Sequence, residues 1–169
     1  MCGVIGIIYK NTKELGLASV GVDLIKMLDA LEHRGKDSTG VTISGLNNSA
    51  DYIIRFRVES EEAFVTDLLT IRISSLGAVI QYSHFEKGFG KISINYEGDI
   101  AQLADTITLI EQIEVDSIGT NSEIVKDVGN AVSLNDNHSI HEIKGTHGIG
   151  HVRMATESKI DISHAHPFW

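Results

Sequence analysis

The strongest constraint on the fold is a change of apolar period between about residues 50 and 119. Asp51–Val58 reads as a strand. Ser60, followed by Glu61 and Glu62, opens an apolar-periodic run to about Ser74, the pattern of a capped helix. Gly77–Phe85 and Lys91–Tyr96 read as two strands joined by Glu-Lys-Gly-Phe-Gly. Ile100, Leu103, Ala104, Ile107, Ile110 and Ile113 then share one helical face, and a short strand follows near Val115–Ile118. The order β-α-β-β-α-β is the ferredoxin-like pattern. It predicts an inserted α/β subdomain over 50–119. This stretch holds 12 acidic and 5 basic residues, a net of −7 out of the chain's −9. Acids of this kind usually line solvated helix faces, and the sharper alternative is an acidic docking face for a basic partner.

The flanking segments predict a different architecture. Gly3–Tyr9 is a continuous apolar run and reads as a buried strand. Leu24, Ile25, Leu28 and Leu31 sit at helical spacing, which predicts an amphipathic helix over Val20–His33 with Gly35 as its stop. Ser38–Leu46 reads as a strand, Asn121–Val132 as a helix and Gly148–Ala155 as a strand. Helices and strands both occur without regular alternation, so the class is α+β. There is one proline, Pro167, so turns rest mainly on 16 glycines and on Asn and Asp.

Composition removes several functions. No apolar run approaches the roughly 18 residues of a membrane span. The start, MCGVIGIIYK, has no basic region before its apolar stretch, which speaks against a secretory signal. The charge of −9 opposes general binding to nucleic acid or to anionic membranes. One cysteine excludes an internal disulfide framework and fits a reducing, cytoplasmic compartment.

That cysteine is Cys2. If Met1 is removed, Cys2 carries a free α-amine with a reference pKa of about 7.7–8.0. Such an amine can take the thiol proton, directly or through water, and so replace the histidine of a Cys–His pair. Gly3 beside it permits close backbone approach. Taken alone, a cysteine at position 2 is more often a small apolar packing residue.

Three segments change that balance: Met1-Cys-Gly-Val-Ile-Gly-Ile7, Leu31-Glu-His-Arg-Gly-Lys-Asp-Ser-Thr-Gly40, and Gly145-Thr-His-Gly-Ile-Gly-His-Val-Arg-Met-Ala-Thr156 followed by His164-Ala-His-Pro167. In this order the chain resembles the class II glutamine amidotransferases, whose glutaminase domain is an N-terminal-nucleophile hydrolase. The resemblance implies an αββα sandwich over 1–169, holding the insertion. It also implies hydrolysis of glutamine to glutamate and ammonia through a Cys2 thioester. The sugar-phosphate synthase branch usually reads Arg-Trp-Ala-Thr-His, whereas this chain has Arg153-Met-Ala-Thr-Glu157. That form, with Asn121-Ser-Glu-Ile-Val-Lys-Asp-Val-Gly129, is similar to stand-alone subunits of the glutamate-synthase and N-methylglutamate-synthase type. The implied partner is a flavin- and iron–sulfur-containing synthase that receives the ammonia, with no cofactor in this chain.

On the same resemblance, Cys2 is the nucleophile and Arg153 binds the glutamine α-carboxylate, for which a guanidinium is geometrically matched. Thr156 adds a hydroxyl to that carboxylate. Arg34 and Asp37 hold a loop over Cys2, and His166 orders the wall of the site. His138/His141 and His164/His166 have metal-like spacings, but no cysteine accompanies them and neither is a recognised zinc pattern, so no metal is expected. Gly-Phe-Gly-Lys at 88–91 lacks Walker spacing.

The chain also departs from the family. A His-Asn-Gly segment normally follows the Ala-His-Pro motif and supplies the oxyanion hole, and a later Asp holds the substrate amine. Neither follows here, so the sandwich is expected to be incomplete and C-terminally truncated. Loss of one oxyanion donor costs about 10²–10³ in kcat. Two other readings therefore stand beside the glutaminase: a catalytically incomplete fragment that docks to its partner, and a metal-dependent hydrolase built on the histidines.

Overall fold

The computed structural model describes residues 2–58, 63–155 and 159–168. In chain order its elements are β1 (Gly3–Ile8), α1 (Thr12–Leu15), α2 (Val20–Ala30), β2 (Ser38–Ser44), β3 (Tyr52–Val58), α3 (Ala63–Ser75), β4 (Val79–Glu86), β5 (Phe89–Asn95), α4 (Ile100–Thr108), β6 (Ile113–Gly119), β7 (Ser122–Val128), α5 (Ala131–His138) and β8 (His147–Arg153). Short 3₁₀ turns cover Glu32–Arg34 and Ile140–Glu142. The class is α+β, with two four-stranded antiparallel sheets. No helix among the described residues is long and apolar enough to cross a membrane.

The chain divides into two compact units, 1–47 with 124–169, and 48–123. In the first, the sheet order is β1-β8-β2-β7. Its core joins Val20, Leu24 and Leu28 of α2 to Val41 and Ile43 of β2, Val125 of β7, Val152 of β8 and Leu134 of α5. The α2 contact explains the glycines of β8. A Cβ on Gly148 would lie 2.8 Å from Leu24 and 3.0 Å from Val20, and one on Gly150 would lie 3.0 Å from Leu28. Alternate glycines let the helix seat closely on the strand. The intervening side chains of β8, at His147, Ile149, His151 and Arg153, must then point to the opposite face of the sheet.

The second unit follows the sequence of periods from 50 to 119: β3-α3-β4-β5-α4-β6. Its strands lie in the order β4-β5-β3-β6. One face packs Ile54, Phe56, Ile92 and Ile94 against Leu69 and Ile73 of α3 and Leu103 and Ile107 of α4. Asp99 caps α4 by accepting from the Ala101 amide at 2.9 Å. The β4–β5 turn is Lys87-Gly88, and both residues have positive φ, 53° and 81°. That conformation matches the twist of a tight hairpin and favours glycine at the second position. The expected cap of α3, Ser60, lies outside the described residues.

One expectation is overturned. Asn121–Val132 is not a helix: Ser122–Val128 is strand β7, and α5 starts only at Ala131. The charged residues of this strand, Glu123, Lys126 and Asp127, are buried, Glu123 held by Arg55 and Asp127 by His138. The β-branched Ile124, Val125 and Val128 suit the strand. Asn130 caps α5 by accepting from the Ser133 amide at 3.0 Å, which sets the later start. The Val20–His33 helix is also shorter than expected, ending at Ala30 with a 3₁₀ turn after it.

Candidate active site

The motif residues of the first unit gather at one end of its sheet. Gly3 pairs with Val152 across β1 and β8, and Ser38 pairs with Arg153 across β2 and β8. Beyond Gly3 along the chain is Cys2, and beyond Val152 is Arg153. Gly3 faces the α2 side, where a Cβ would lie 3.0 Å from Val152, 3.2 Å from Leu31 and 3.3 Å from the Arg34 Cβ. Strand alternation therefore gives Val4 to the opposite face, the one that carries Arg153 and His151. Val4 is 71 % exposed, and Cys2 is an exposed free thiol.

The loop after α2 fixes the exit of β8. The Asp37 amide donates to the Arg153 carbonyl at 3.0 Å, and the Asp37 carboxylate accepts from the Ala155 amide at 2.7 Å. The Asp37 carbonyl accepts from the Gly129 amide at 2.9 Å. Gly35 lies directly on the Arg153–Met154 peptide, and a Cβ there would overlap backbone atoms. The spacing Arg34-Gly35-x-Asp37 thus has a local physical basis: a bare Cα for close approach and a carboxylate two residues on for the amide.

Arg153 is buried, and its Nη1 donates to the Lys159 carbonyl at 3.3 Å. Its neighbour in the motif, Thr156, lies outside the described residues. His166 is exposed, but its backbone presses on Gly40, where a Cβ would collide with the His166 carbonyl. The His166 ring lies 4.8 Å from the ring of His151 and 4.3 Å from that of Phe168. Lys126 Nζ sits 5.3 Å from the Phe168 ring centre.

Sequence reasoning missed three residues on this face: Ser38, Lys126 and His151. Ser38 and Lys126 are buried polar groups. His151 pairs in register with Val4 on one side and Gly40 on the other, one row in from Arg153. Burial, then the charges of His166 and Arg153, push the His151 imidazole below its ordinary value. It is neutral at pH 7, and its Nδ1 is buried without a hydrogen-bond partner among the described residues. The signal was available in β8, where glycines at 148 and 150 alternate with larger residues and so assign His151 to the face of Arg153.

The other histidines take separate local partners. His138 is buried against Asp127 at 3.1 Å, whereas His141 is exposed and meets Asn135 at 2.9 Å. His164 bonds to Asp161 at 2.6 Å. No group of three or more His, Cys, Asp or Glu suited to a metal occurs among the described residues.

Comparison with known proteins gives the context for this geometry. No family model matches the chain. A protein of Methanothermobacter thermautotrophicus named "Putative glutamine amidotransferase" is 35 % identical over 176 residues, which cover 99 % of this chain and 56 % of that protein. The chain is similar to glutamine amidotransferases. A second relative, "Glutamine amidotransferase-like protein GlxB" of Rhizobium meliloti, is 28 % identical over 182 residues, covering 99 % of this chain and 54 % of its own length. The chain spans about half the length of these curated relatives.

Proposed function

We propose that this chain carries the glutaminase part of a class II glutamine amidotransferase, with Cys2 as an N-terminal nucleophile on an αββα-type scaffold. The observation that supports the reading is the register, which sets Gly3 opposite Val152 and Ser38 opposite Arg153, so that Cys2 and Arg153 each come next at the same end of the β1-β8-β2 strands. Three separate sequence motifs supply these residues.

Removal of Met1 would free the Cys2 α-amine. The amine takes the thiol proton, and the sulfur attacks the side-chain carboxamide carbon of glutamine. The tetrahedral adduct collapses with protonation of the leaving nitrogen, releasing ammonia and leaving a γ-glutamyl thioester. Water attacks the thioester, glutamate leaves, and the thiol is restored. Arg153 pairs with the substrate α-carboxylate, with Thr156 adding a hydroxyl. The substrate competes there with the contact from Arg153 to the Lys159 carbonyl. Asp37 and Gly35 hold the 153–155 backbone in place, Arg34 with Asp37 supports the loop over Cys2, and His166 with His151 forms the wall beside it. The ammonia passes to a synthase partner of the flavin and iron–sulfur type. Among the described residues we assign none to the oxyanion.

A glutamine analogue with a chloromethyl ketone in place of the carboxamide tests the site without requiring turnover. The expected result is one covalent adduct on Cys2, slowed by free glutamine and absent in Cys2→Ala. Arg153→Lys should slow labelling at least tenfold, the equivalent of about 1.4 kcal/mol of recognition. Equal labelling by a chloromethyl ketone without the amino-acid end, unaffected by glutamine, would sink the reading. Intact mass showing Met1 retained would remove the amine from the mechanism.

A further inference from the structure

The second unit holds a polar pocket of about 380 Å³, lined by Asn48, Ser49, Gln81, Tyr82, Lys91 and Ser93. It lies on the sheet face opposite the helices. Ile92 and Ile94 of β5 belong to the core, so Lys91 and Ser93 point the other way. In register, Tyr82 stands across from Ser93, and Arg55 across from Lys91.

A bulge builds one wall. Ile80 pairs with Ile94 and Tyr82 with Ser93, so Gln81 is an extra residue in β4. A bulge breaks the in–out alternation, and here consecutive side chains, Gln81 and Tyr82, line the same pocket. Bulges recur beside binding sites because they re-aim a side chain in this way.

The lysine of the pocket belongs to a buried ion cluster. Glu123 is 2 % exposed and holds two cations: Arg55 Nε at 2.6 Å, and Lys91 Nζ at 3.1 Å from the same oxygen. Lys91 and Arg55 thus share one carboxylate, and Lys91 also lines the pocket. The third cation, Arg57, pairs with both Glu114 at 2.7 Å and Asp116 at 3.0 Å.

We propose that this pocket binds a small organic carboxylate, with the Lys91 ammonium meeting the carboxylate and the Ser93, Ser49 and Tyr82 hydroxyls with the Gln81 amide taking its remaining polar groups. A single ammonium, already shared with Glu123, matches a carboxylate better than a phosphate dianion. The volume suits a molecule the size of an amino acid or a dicarboxylate, at the low end of small-molecule sites. Asn48 is wall and not ligand, because its Nδ2 already donates to the Ala50 carbonyl at 2.8 Å. The inference is independent of the glutaminase reading.

The test is a site-resolved NMR titration of the full chain with acetate, succinate and inorganic phosphate at constant ionic strength, with chloride as the blank. Saturable shifts at Ser49, Tyr82, Lys91 and Ser93 with succinate and acetate are expected, with phosphate at least tenfold weaker. Lys91→Met should weaken binding at least tenfold. Ser93→Ala should weaken it several-fold and keeps the ion cluster whole if the lysine variant fails to fold. The proposal is overturned by shifts that do not saturate or that chloride reproduces. Phosphate binding as tightly as the carboxylates also overturns it, as does wild-type affinity in Ser93→Ala together with wild-type affinity or misfolding in Lys91→Met.

Discussion

The two sheets each bury one face under helices and treat the other face in opposite ways. In the first unit the far face carries the buried polar groups Ser38, Lys126 and Arg153, and along its β1 edge it is apolar and open: Val4 is 71 % and Ile8 78 % exposed, with Ile149 beside them. In the second unit the far face carries Arg55, Arg57, Lys91 and Asp116, held in short ion pairs: Asp116 with Arg57, and Glu123 at the start of β7 with Arg55 and Lys91. The difference separates two uses of a sheet face. Paired and buried charges fix a structure, because each depends on the others for its desolvation. Exposed apolar residues contribute little to the fold they sit on and mark a surface able to receive another one.

The comparison breaks most visibly at Glu123. Glu123→Ala leaves Arg55 and Lys91 facing each other without their shared carboxylate. Breaking a buried pair by removing one partner costs about 3–5 kcal/mol. Denaturant unfolding should show a loss of that size. A loss below 1 kcal/mol would mean that water already reaches the cluster. Burial and Arg55 both disfavour the charged form of Lys91, which lies below its ordinary value despite the pull of Glu123. Removing Glu123 should lower it further, which amine titration by NMR reads directly.

The next largest effect is expected at Gly35. A Cβ there overlaps the Arg153–Met154 peptide, so Gly35→Ala must displace the exit of β8. Overpacking of this kind costs about 1–3 kcal/mol. Because the displaced backbone carries Arg153, labelling of Cys2 by the glutamine analogue should lose its protection by glutamine. Hydrogen exchange at the Ala155 amide, which Asp37 protects, should rise with it.

Much of this was legible in the sequence, for physical reasons. The elements of 52–119 show as changes of period because one face of each is apolar and the other is not. The α2 helix shows for the same reason, and the spacing of Gly35 and Asp37 has a local basis, because the exit of β8 demands a bare Cα and a carboxylate there. The β7 strand was not legible. Its Glu123, Lys126 and Asp127 are buried, and periodicity assumes that charges face water. The partners of Glu123, Arg55 and Lys91, are 68 and 32 residues away in sequence. His151 was missed although it stands in the third motif, because its face is set by the Gly148 and Gly150 alternation of β8 and not by its residue type. The bulge at Gln81 was missed because it is set by register against β5 and not by its own side chain.

A smaller effect tests the buried acid of the first unit. Burial would raise the Asp127 carboxyl, but hydrogen bonds from His138 and Asn137, the His138 charge and the Val128 amide together hold it below its ordinary value. A carboxyl depressed in the folded state contributes stability that is present above its unfolded pKa of about 3.9. That contribution is lost as pH falls through the lower folded value. Asp127→Asn should therefore flatten the acid limb of stability below about pH 4. At pH 7 it should cost roughly 1–2 kcal/mol, since a charge-assisted bond becomes a neutral one. An unchanged acid limb would assign that limb to other carboxylates. His151 has the same sign by a different route. Its imidazole is depressed, so its contribution is held above about pH 6.5 and declines as pH falls through the folded value.

The smallest effect is expected where the first sheet is open, and that smallness is informative. Val4→Thr and Ile8→Thr remove apolar groups that the fold itself leaves in water. Each should change stability by no more than about 0.5 kcal/mol, the usual range for surface sites. Ile5→Ala, one residue along the same strand but packed against the α2 core, should cost about 2–5 kcal/mol. The pair reads the two faces of one strand in one experiment. If Val4→Thr and Ile8→Thr instead cost as much as Ile5→Ala, the far face is covered in solution. It would then rank with the core, and the contrast with the charge-paired sheet would be one of chemistry alone and not of exposure.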